Sequence, residues 1–396
     1  MTGVQTCALP ISDPLRLSIT AAAGPIVVKV GTRVLTGPDG LLNAARIESL
    51  GRQFDGLMAG GRQVVLVSSG AVGAGMGRMG LRSRPHELAQ LQAVAAIGQS
   101  CLIEAYERAL RSHGRHVAQV LLVADDFKDR ARYLNIRNTL RALLDYGAIP
   151  IINENDTVSV EELRTSFGDN DRLAALVATL LGAPMLVLLS DIDGLYDRHP
   201  EDPGAACLPT VERIDAGIEG LARDRLGGLS KGGMASKIAA ARIVTEAGGH
   251  CIIASGRDDH VLPRIVRGET VGTLFPGRSA AMPAWKRWLG WSADVRGTVT
   301  VDPGAQDAVV STGRSLLAAG IRTVDGDFSS GDVVALADDA GRIFARGLVN
   351  YPSDELRRIA GLKTDQIAAV LGYCPYEEVV HRDNLAVIRR DERGRP

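Results

Sequence analysis

The chain has 396 residues, 45% hydrophobic and 23% charged, which is length for two domains and apolar material for a sizeable core. A formal net charge of −1 excludes a global field that would draw it to nucleic acid or an anionic membrane, and its apolar runs are too short and too broken to span a bilayer. The five scattered cysteines (Cys7, Cys101, Cys207, Cys251, Cys374) contain no C-x-x-C pair and read as reduced thiols of a cytoplasmic protein, not a disulfide framework or zinc site.

Residues 1–24 show neither helical nor strand periodicity and no charged region ahead of apolar residues, so they read as a disordered or extraneous tail. Pro25 to Thr32 is the first strand, a continuous apolar run as expected of a strand buried on both faces. Lys29 interrupts it. Such a lysine is either a snorkelling edge residue or an ammonium aimed at an anion, with the Gly31-Thr32 turn letting backbone N–H groups approach. Helical spacing over 41–58 ends at Gly60-Gly61, and the strand 64–67 then runs into Ser68-Ser69-Gly70-Ala71-Val72-Gly73-Ala74-Gly75. A strand, a glycine-rich turn and a helix start together present N–H groups to an anion. The string is neither a Walker A nor a dinucleotide fingerprint, and alone it is equally a tight turn.

A helix over 87–111, a strand over 117–123 and a helix over 133–146 lead to the strand 148–152. That strand ends in Asn153-Glu154-Asn155-Asp156, and after a polar insert (157–167) comes Gly168-Asp169-Asn170-Asp171-Arg172-Leu173, opening another helix. Caps and turns account for some of these Asn and Asp residues. The strand 185–190 ends in Ser190-Asp191, residues 197–209 form a loop, and a second glycine-rich loop, 226–234, feeds a helix over 235–247. A strand over 250–254, a short helix over 261–267 and the segment 272–275 complete an alternating pattern that predicts a mostly parallel sheet covered by helices on both faces. Ligands of such sheets bind beyond the carboxyl ends of the strands. Lys29, Ser69-Gly70, Asn155-Asp156 and Ser190-Asp191 all fall there.

The first domain is expected over 25–276 and a linker over 277–293, where Gly, Pro and Trp cluster. Residues 294–385 read as a small β-barrel-like domain with strands over 297–301, 308–310, 333–337 and 343–347 and helices over 315–319, 353–360 and 365–370; 386–396 reads as a disordered tail. Two lysines, Lys29 and Lys237, two glycine-rich loops and several carboxylates at one sheet edge match phosphoryl transfer, which needs cations and N–H donors around the transferred group and a carboxylate to organise them. No G-x-S-x-G elbow and no histidine cluster with metal-ligand spacing offers another chemistry.

The strings VKVGT (28–32), VSSGAVGAG (67–75), INENDTV (152–158), FGDNDRLAALVA (167–178), LLSDIDGLY (188–196) and GGMASKIAAA (232–241) resemble the glutamate 5-kinases of the amino-acid kinase family, and GRSLLAAGI (313–321) resembles a PUA domain. The resemblance implies a three-layer αβα sandwich, ATP with Mg²⁺, and phosphorylation of the γ-carboxylate of L-glutamate, the first step toward proline, with proline as inhibitor. It implies that Lys29 bridges phosphoryl and carboxylate, that Ser69 and Gly70 offer donors, and that Asp156 and Asn170 take the amino acid with Asp169 nearby. It implies further that Asp171 orients the lysines, that Ser190 and Asp191 bind nucleotide, and that Lys231, Gly232, Gly233, Met234, Ala235, Ser236 and Lys237 wrap the phosphates. Ser230 and Lys231 depart from the family pattern. A sibling kinase acting on another carboxylate or phosphate is the alternative enzyme. An RNA-binding role through the C-terminal domain is a further alternative that its balanced charge does not favour, since no basic face with stacking aromatics is evident. A homo-oligomer is expected, with the helix 87–111 as a candidate interface.

Overall fold

The computed structural model describes residues 13–37, 40–127, 130–158, 170–221, 233–277, 286, 289–290 and 293–388. Its first unit comprises Met1–Ala124 and Leu134–Ala281; Asp125–Tyr133 groups with Met282–Pro396 in the second. The first unit holds strands β1 (Ile26–Val30), β2 (Val64–Ser68), β3 (His116–Leu122), β4 (Ala148–Glu154), β5 (Met185–Ser190), β6 (His250–Ser255) and β7 (Thr273–Phe275). They form one sheet in the order β3-β4-β2-β1-β5-β6-β7, parallel except for β7 against β6. The described helices are α1 (Pro14–Ala21), α2 (Thr32–Leu35), α3 (Ala44–Ala59), α4 (Ala71–Met79), α5 (Leu88–Arg111), α6 (Arg130–Asp145), α7 (Asn170–Leu181), α8 (Ala216–Leu221), α9 (Gly233–Glu246) and α10 (Val261–Val266).

β1 is wholly buried because it lies mid-sheet between β2 and β5. Strand period two then sorts its side chains. Ile26, Val28 and Val30 join Leu66, Val187 and Leu189 in a core closed by Leu50 and Phe54 of α3 and Leu102 and Leu110 of α5. Val27 and Lys29 point to the opposite face, which α7 covers. That helix is apolar nearly all round and buried from Leu173 to Leu181, as a helix packed between a sheet and a second helix must be. α4 and α5 touch backbone to backbone: a Cβ on Gly75 would come within 1.9 Å of the Val94 carbonyl oxygen, and one on Gly98 within 1.7 Å of that of Ala71. This contact fixes the start of α4, immediately after Ser69-Gly70.

Part of the expected N-terminal tail is structured. Asp13 caps α1, its Oδ1 accepting from the Leu15 N–H at 2.9 Å, with Pro14 at the first helical position. Arg16 is 1% exposed and donates to the carbonyls of Pro209 (2.6 Å), Val271 (2.7 Å) and Gly272 (3.1 Å). Eight residues are too few to display a periodicity, so the Asp-Pro cap was the only local signal. Residues 1–12 lie outside the described residues.

In the second unit, β8 (Gly297–Val301), β9 (Ile321–Gly326), β10 (Val333–Ala337), β11 (Ile343–Leu348) and β12 (Leu385–Val387) run in the order β12-β11-β10-β8-β9 around a core that includes Val299, Leu336, Tyr351 and Ile367. Three expectations are corrected here. Residues 308–310 close the helix α11 (Pro303–Val310), begun by Asp302 accepting from the Ala305 N–H at 2.7 Å. Residues 315–319 form no α-helix; Leu316 bridges to Val380, and a 3₁₀ turn, Ala318–Gly320, leads into β9. Ala386 and Val387 are not tail residues but pair with β11; 389–396 lie outside the described residues, as does most of the expected linker 277–293. The helices expected near 353–360 and 365–370 are α12 (Ser353–Ile359) and α13 (Thr364–Leu371).

Arg16→Ala leaves several partly buried carbonyls without their donor. It is expected to lower the unfolding free energy by about 3 kcal/mol, read as a lower urea midpoint at unchanged slope; an unchanged midpoint would show that α1 is not integral to the fold.

Candidate active site

Lys29 is flanked in the sheet by Val67 and Leu188 and is 6% exposed. An isolated ammonium there would be prohibitively desolvated. Asp171, the second residue of α7, supplies the counter-charge: its Oδ1 lies 2.6 Å from the Lys29 Nζ, and its Oδ2 lies 3.1 Å from the Nζ of Lys237. Lys237 sits one turn into α9 and also donates to the Gly233 carbonyl at 3.1 Å. All three side chains are buried, so two ammoniums face one carboxylate with a single positive charge in excess. Burial works to raise the Asp171 pKa, but the two lysines outweigh it and hold the carboxyl below the usual range. Burial lowers the Lys237 pKa and nearby Lys29 adds to this, against the pull of Asp171. The carboxylate keeps two like charges adjacent, and the positive charge in excess suits an anion.

Beside it, Asn170 opens α7 at 2% exposure. Its Nδ2 donates to the Ser69 Oγ at 2.9 Å and the Asn153 Oδ1 at 3.0 Å, so its Oδ1 faces the other way, buried and without a hydrogen-bond partner among the described residues. That oxygen suits a donor on a ligand. Gly70 has φ +101°, a left-handed conformation that glycine adopts without strain, and no side chain among the described residues caps α4. The N–H groups of this first helical turn are therefore suited to an anion. The Gly31 amide, in the turn where backbone N–H groups were expected to approach an anion, donates to the Leu189 carbonyl at 3.1 Å, and the Ser69 amide donates to the Val30 carbonyl at 3.2 Å. Ser69 contributes its hydroxyl instead.

Asp156, just beyond β4, is 7% exposed, and burial together with the nearby Glu154 charge pushes its pKa up to about 6 against the opposing Arg84 charge. At the end of β5 the Ser190 hydroxyl donates to the Asp191 Oδ1 at 3.1 Å, and Arg33 of α2 donates to the Asp191 Oδ2 at 3.1 Å. Burial acts to raise the Asp191 pKa, but the hydrogen bond from Arg33 and other donors hold it below the usual range. Thus Lys29, Asp171 and Lys237 meet directly, Asn170 meets Ser69, and Asp191 lies near enough for its charge to act on Lys237. Gly233, Met234, Ala235 and Ser236 form the first turn of α9. Asp169, Lys231 and Gly232 lie outside the described residues. Three contributors carry no motif-level assignment: Asn153, Arg33 and Arg84. Asn153 was legible as the first polar residue ending a buried strand, whereas the other two emerge only from the packing of distant segments.

Asp171→Asn tests the carboxylate through pH. The folded pKa is depressed, so the charge stabilises the fold above the unfolded value near 3.8 and this benefit is lost as pH falls through the lower folded value. The variant is expected to be less stable than the parent by about 3 kcal/mol at neutral pH, with the gap closing below about pH 4, in urea titrations at each pH. A gap independent of pH would show that packing, not charge, is lost.

Residues 24–255 match the amino acid kinase family and residues 297–371 the PUA domain. The chain is 49% identical over 362 residues to the glutamate 5-kinase of Rhodopirellula baltica, covering 91% of this chain and 93% of that protein. It is 47% identical over 385 residues to the glutamate 5-kinase of Moorella thermoacetica, covering 97% of this chain and 99% of that protein, and 48% identical over 368 residues to that of Myxococcus xanthus, covering 93% and 97%. The chain belongs to the amino acid kinase family, in its glutamate 5-kinase branch, with a PUA domain toward its C-terminal end.

Proposed function

We propose that the protein transfers the γ-phosphoryl group of ATP to the γ-carboxylate of L-glutamate, giving L-glutamyl 5-phosphate and ADP in the cytoplasm, the first step toward proline. The observation that carries this reading is the buried Asp171 carboxylate holding Lys29 and Lys237 at 2.6 and 3.1 Å. A carboxylate oxygen of glutamate attacks the γ-phosphorus, and the bond from that phosphorus to the oxygen bridging it to the β-phosphate breaks. Lys29 lies between acceptor and phosphoryl group, Lys237 meets charge developing on the leaving side, and Asp171 keeps both aimed. Asn170 and Ser69 hold the amino acid, the Asn170 Oδ1 accepting from its ammonium, and Asp156 supplies the opposite charge. Arg84 is the nearby cation suited to the α-carboxylate. Ser190, Asp191 and the α9 turn take the nucleotide.

Magnesium fits this site as a passenger on the phosphates. Asp171 and Asp191 each already face a cation, and no group of His, Cys, Asp and Glu among the described residues is arranged to hold a metal. When bound, the ion would neutralise phosphate charge, with water completing its shell.

Glutamate-dependent ADP release from Mg-ATP, with the acyl phosphate trapped by hydroxylamine, is the direct test; release no faster than without glutamate overturns the assignment. Asp156→Ala is expected to raise the KM for glutamate at least about tenfold while moving that for ATP little, and to abolish discrimination against glutarate, which lacks the ammonium. The pH profile carries a sign. Below about 6 the Asp156 carboxyl of the free enzyme is protonated and cannot pair the ammonium, so kcat/KM for glutamate should fall on the acid side of that value. Asp156→Asn should remove this limb. Inhibition by proline, competitive with glutamate, is the regulatory counterpart; unchanged rates in millimolar proline would refute it.

A further inference from the structure

Arg33 stands in no motif, yet the packing around it is unusually constrained. Its neighbours Val34 and Leu35 are buried at 4% and 0% exposure. A Cβ on Gly256, at the end of β6, would come within 2.6 Å of the Val34 Cγ1. The Gly256 N–H donates to the Ser190 carbonyl at 2.7 Å, and the Gly31 N–H donates to the Leu189 carbonyl at 3.1 Å. The short helix α2 is thus wedged between the ends of β5 and β6. From that wedge the Arg33 guanidinium, half exposed, reaches the Asp191 carboxylate at 3.1 Å.

We propose that Arg33 is a positioning residue for the nucleotide: it neutralises Asp191 and ties α2, which follows the strand that carries the transfer lysine, to the loop after β5. The inference rests on the nucleotide reading of the β5 loop given above. Its physical ground is charge. The charge of Asp191 reaches Lys237, so a nucleoside triphosphate held at Lys237 lies in the field of the same carboxylate. Unpaired, that carboxylate repels the phosphates in a partly desolvated mouth where such repulsion is poorly screened. Paired with Arg33, it retains its oxygens as acceptors and loses its net charge. A half-exposed ion pair adds little to folding stability, so a stabilising role alone is not a sufficient account of the pair.

The test is a charge-compensation series on the full chain. Arg33→Ala is expected to raise the KM for ATP about tenfold, with kcat at saturating ATP and the KM for glutamate shifting less than about twofold and the unfolding midpoint unmoved. Arg33→Lys should fall between the two. Adding Asp191→Asn to Arg33→Ala should recover most of the lost ATP affinity, because Asn keeps an acceptor without the charge. A merely structural Arg33 would give no such rescue, and additive or worsening losses in the double variant overturn the proposal. So does an Arg33→Ala enzyme with unchanged KM for ATP while Asp191→Ala raises it. If Asp191→Ala alone leaves the KM for ATP unchanged, the nucleotide reading of this loop fails instead, and the inference with it.

Discussion

The site depends on one carboxylate. Two ammoniums brought into the interior repel each other and lose their hydration, and neither cost is met by apolar packing. Asp171 turns that liability into a preset electrostatic environment, since each of its oxygens serves a different lysine. Its neutral form would leave two unmatched cations inside the protein, which is why the proximity of the lysines drives its proton affinity down against the effect of burial. The excess positive charge is there before any substrate arrives, so, on the phosphoryl-transfer reading proposed above, little reorganisation is needed when charge shifts toward the leaving group.

The sheet delivers this arrangement from three separate parts of the sequence. Lys29 comes from the central strand, Asp171 from the first turn of α7 and Lys237 from one turn into α9. The two helices pack on the same face of the sheet and against each other. The face is chosen by the odd-numbered positions of β1, so a one-residue slip in β1 would turn Lys29 into the opposite, wholly apolar core. Asn170 shows how economical the helix start is: the residue beside the carboxylate spans Ser69 and Asn153 from two different strand ends.

Much of this was legible in the chain itself. Alternating apolar runs and helical spacings imply a parallel sheet, and polar residues at strand ends mark the working edge. Lys29 stood out because a charge inside a fully apolar run demands a partner. Signals carried by few residues or by distant contacts were not legible. α1 is too short to show a periodicity, and the pairing that buries Arg16 involves carbonyls nearly two hundred or more residues away. In the C-terminal unit, Ala308 to Val310 have a strand-like composition, but the Asp302-Pro303 cap commits them to a helix. The Gly31 amide looked open from sequence because its hydrogen-bond partner, Leu189, belongs to a strand far along the chain.

The strand order β4-β2-β1-β5 has a metric consequence. Neighbouring strands lie about 4.8 Å apart, so the loops leaving their carboxyl ends are spaced at regular steps across the top of the sheet. Asp156 rises from β4, Ser69 from β2, Lys29 lies near the end of β1, and Asp191 follows β5. A molecule gripped by its ammonium over the β4 side must cover a set number of these steps to bring its reacting oxygen to Lys29. On the substrate reading proposed above, the sheet acts as a ruler: discrimination between amino-dicarboxylates of different length follows from which strand each contact stands on, without a side chain having to block the shorter or the longer one.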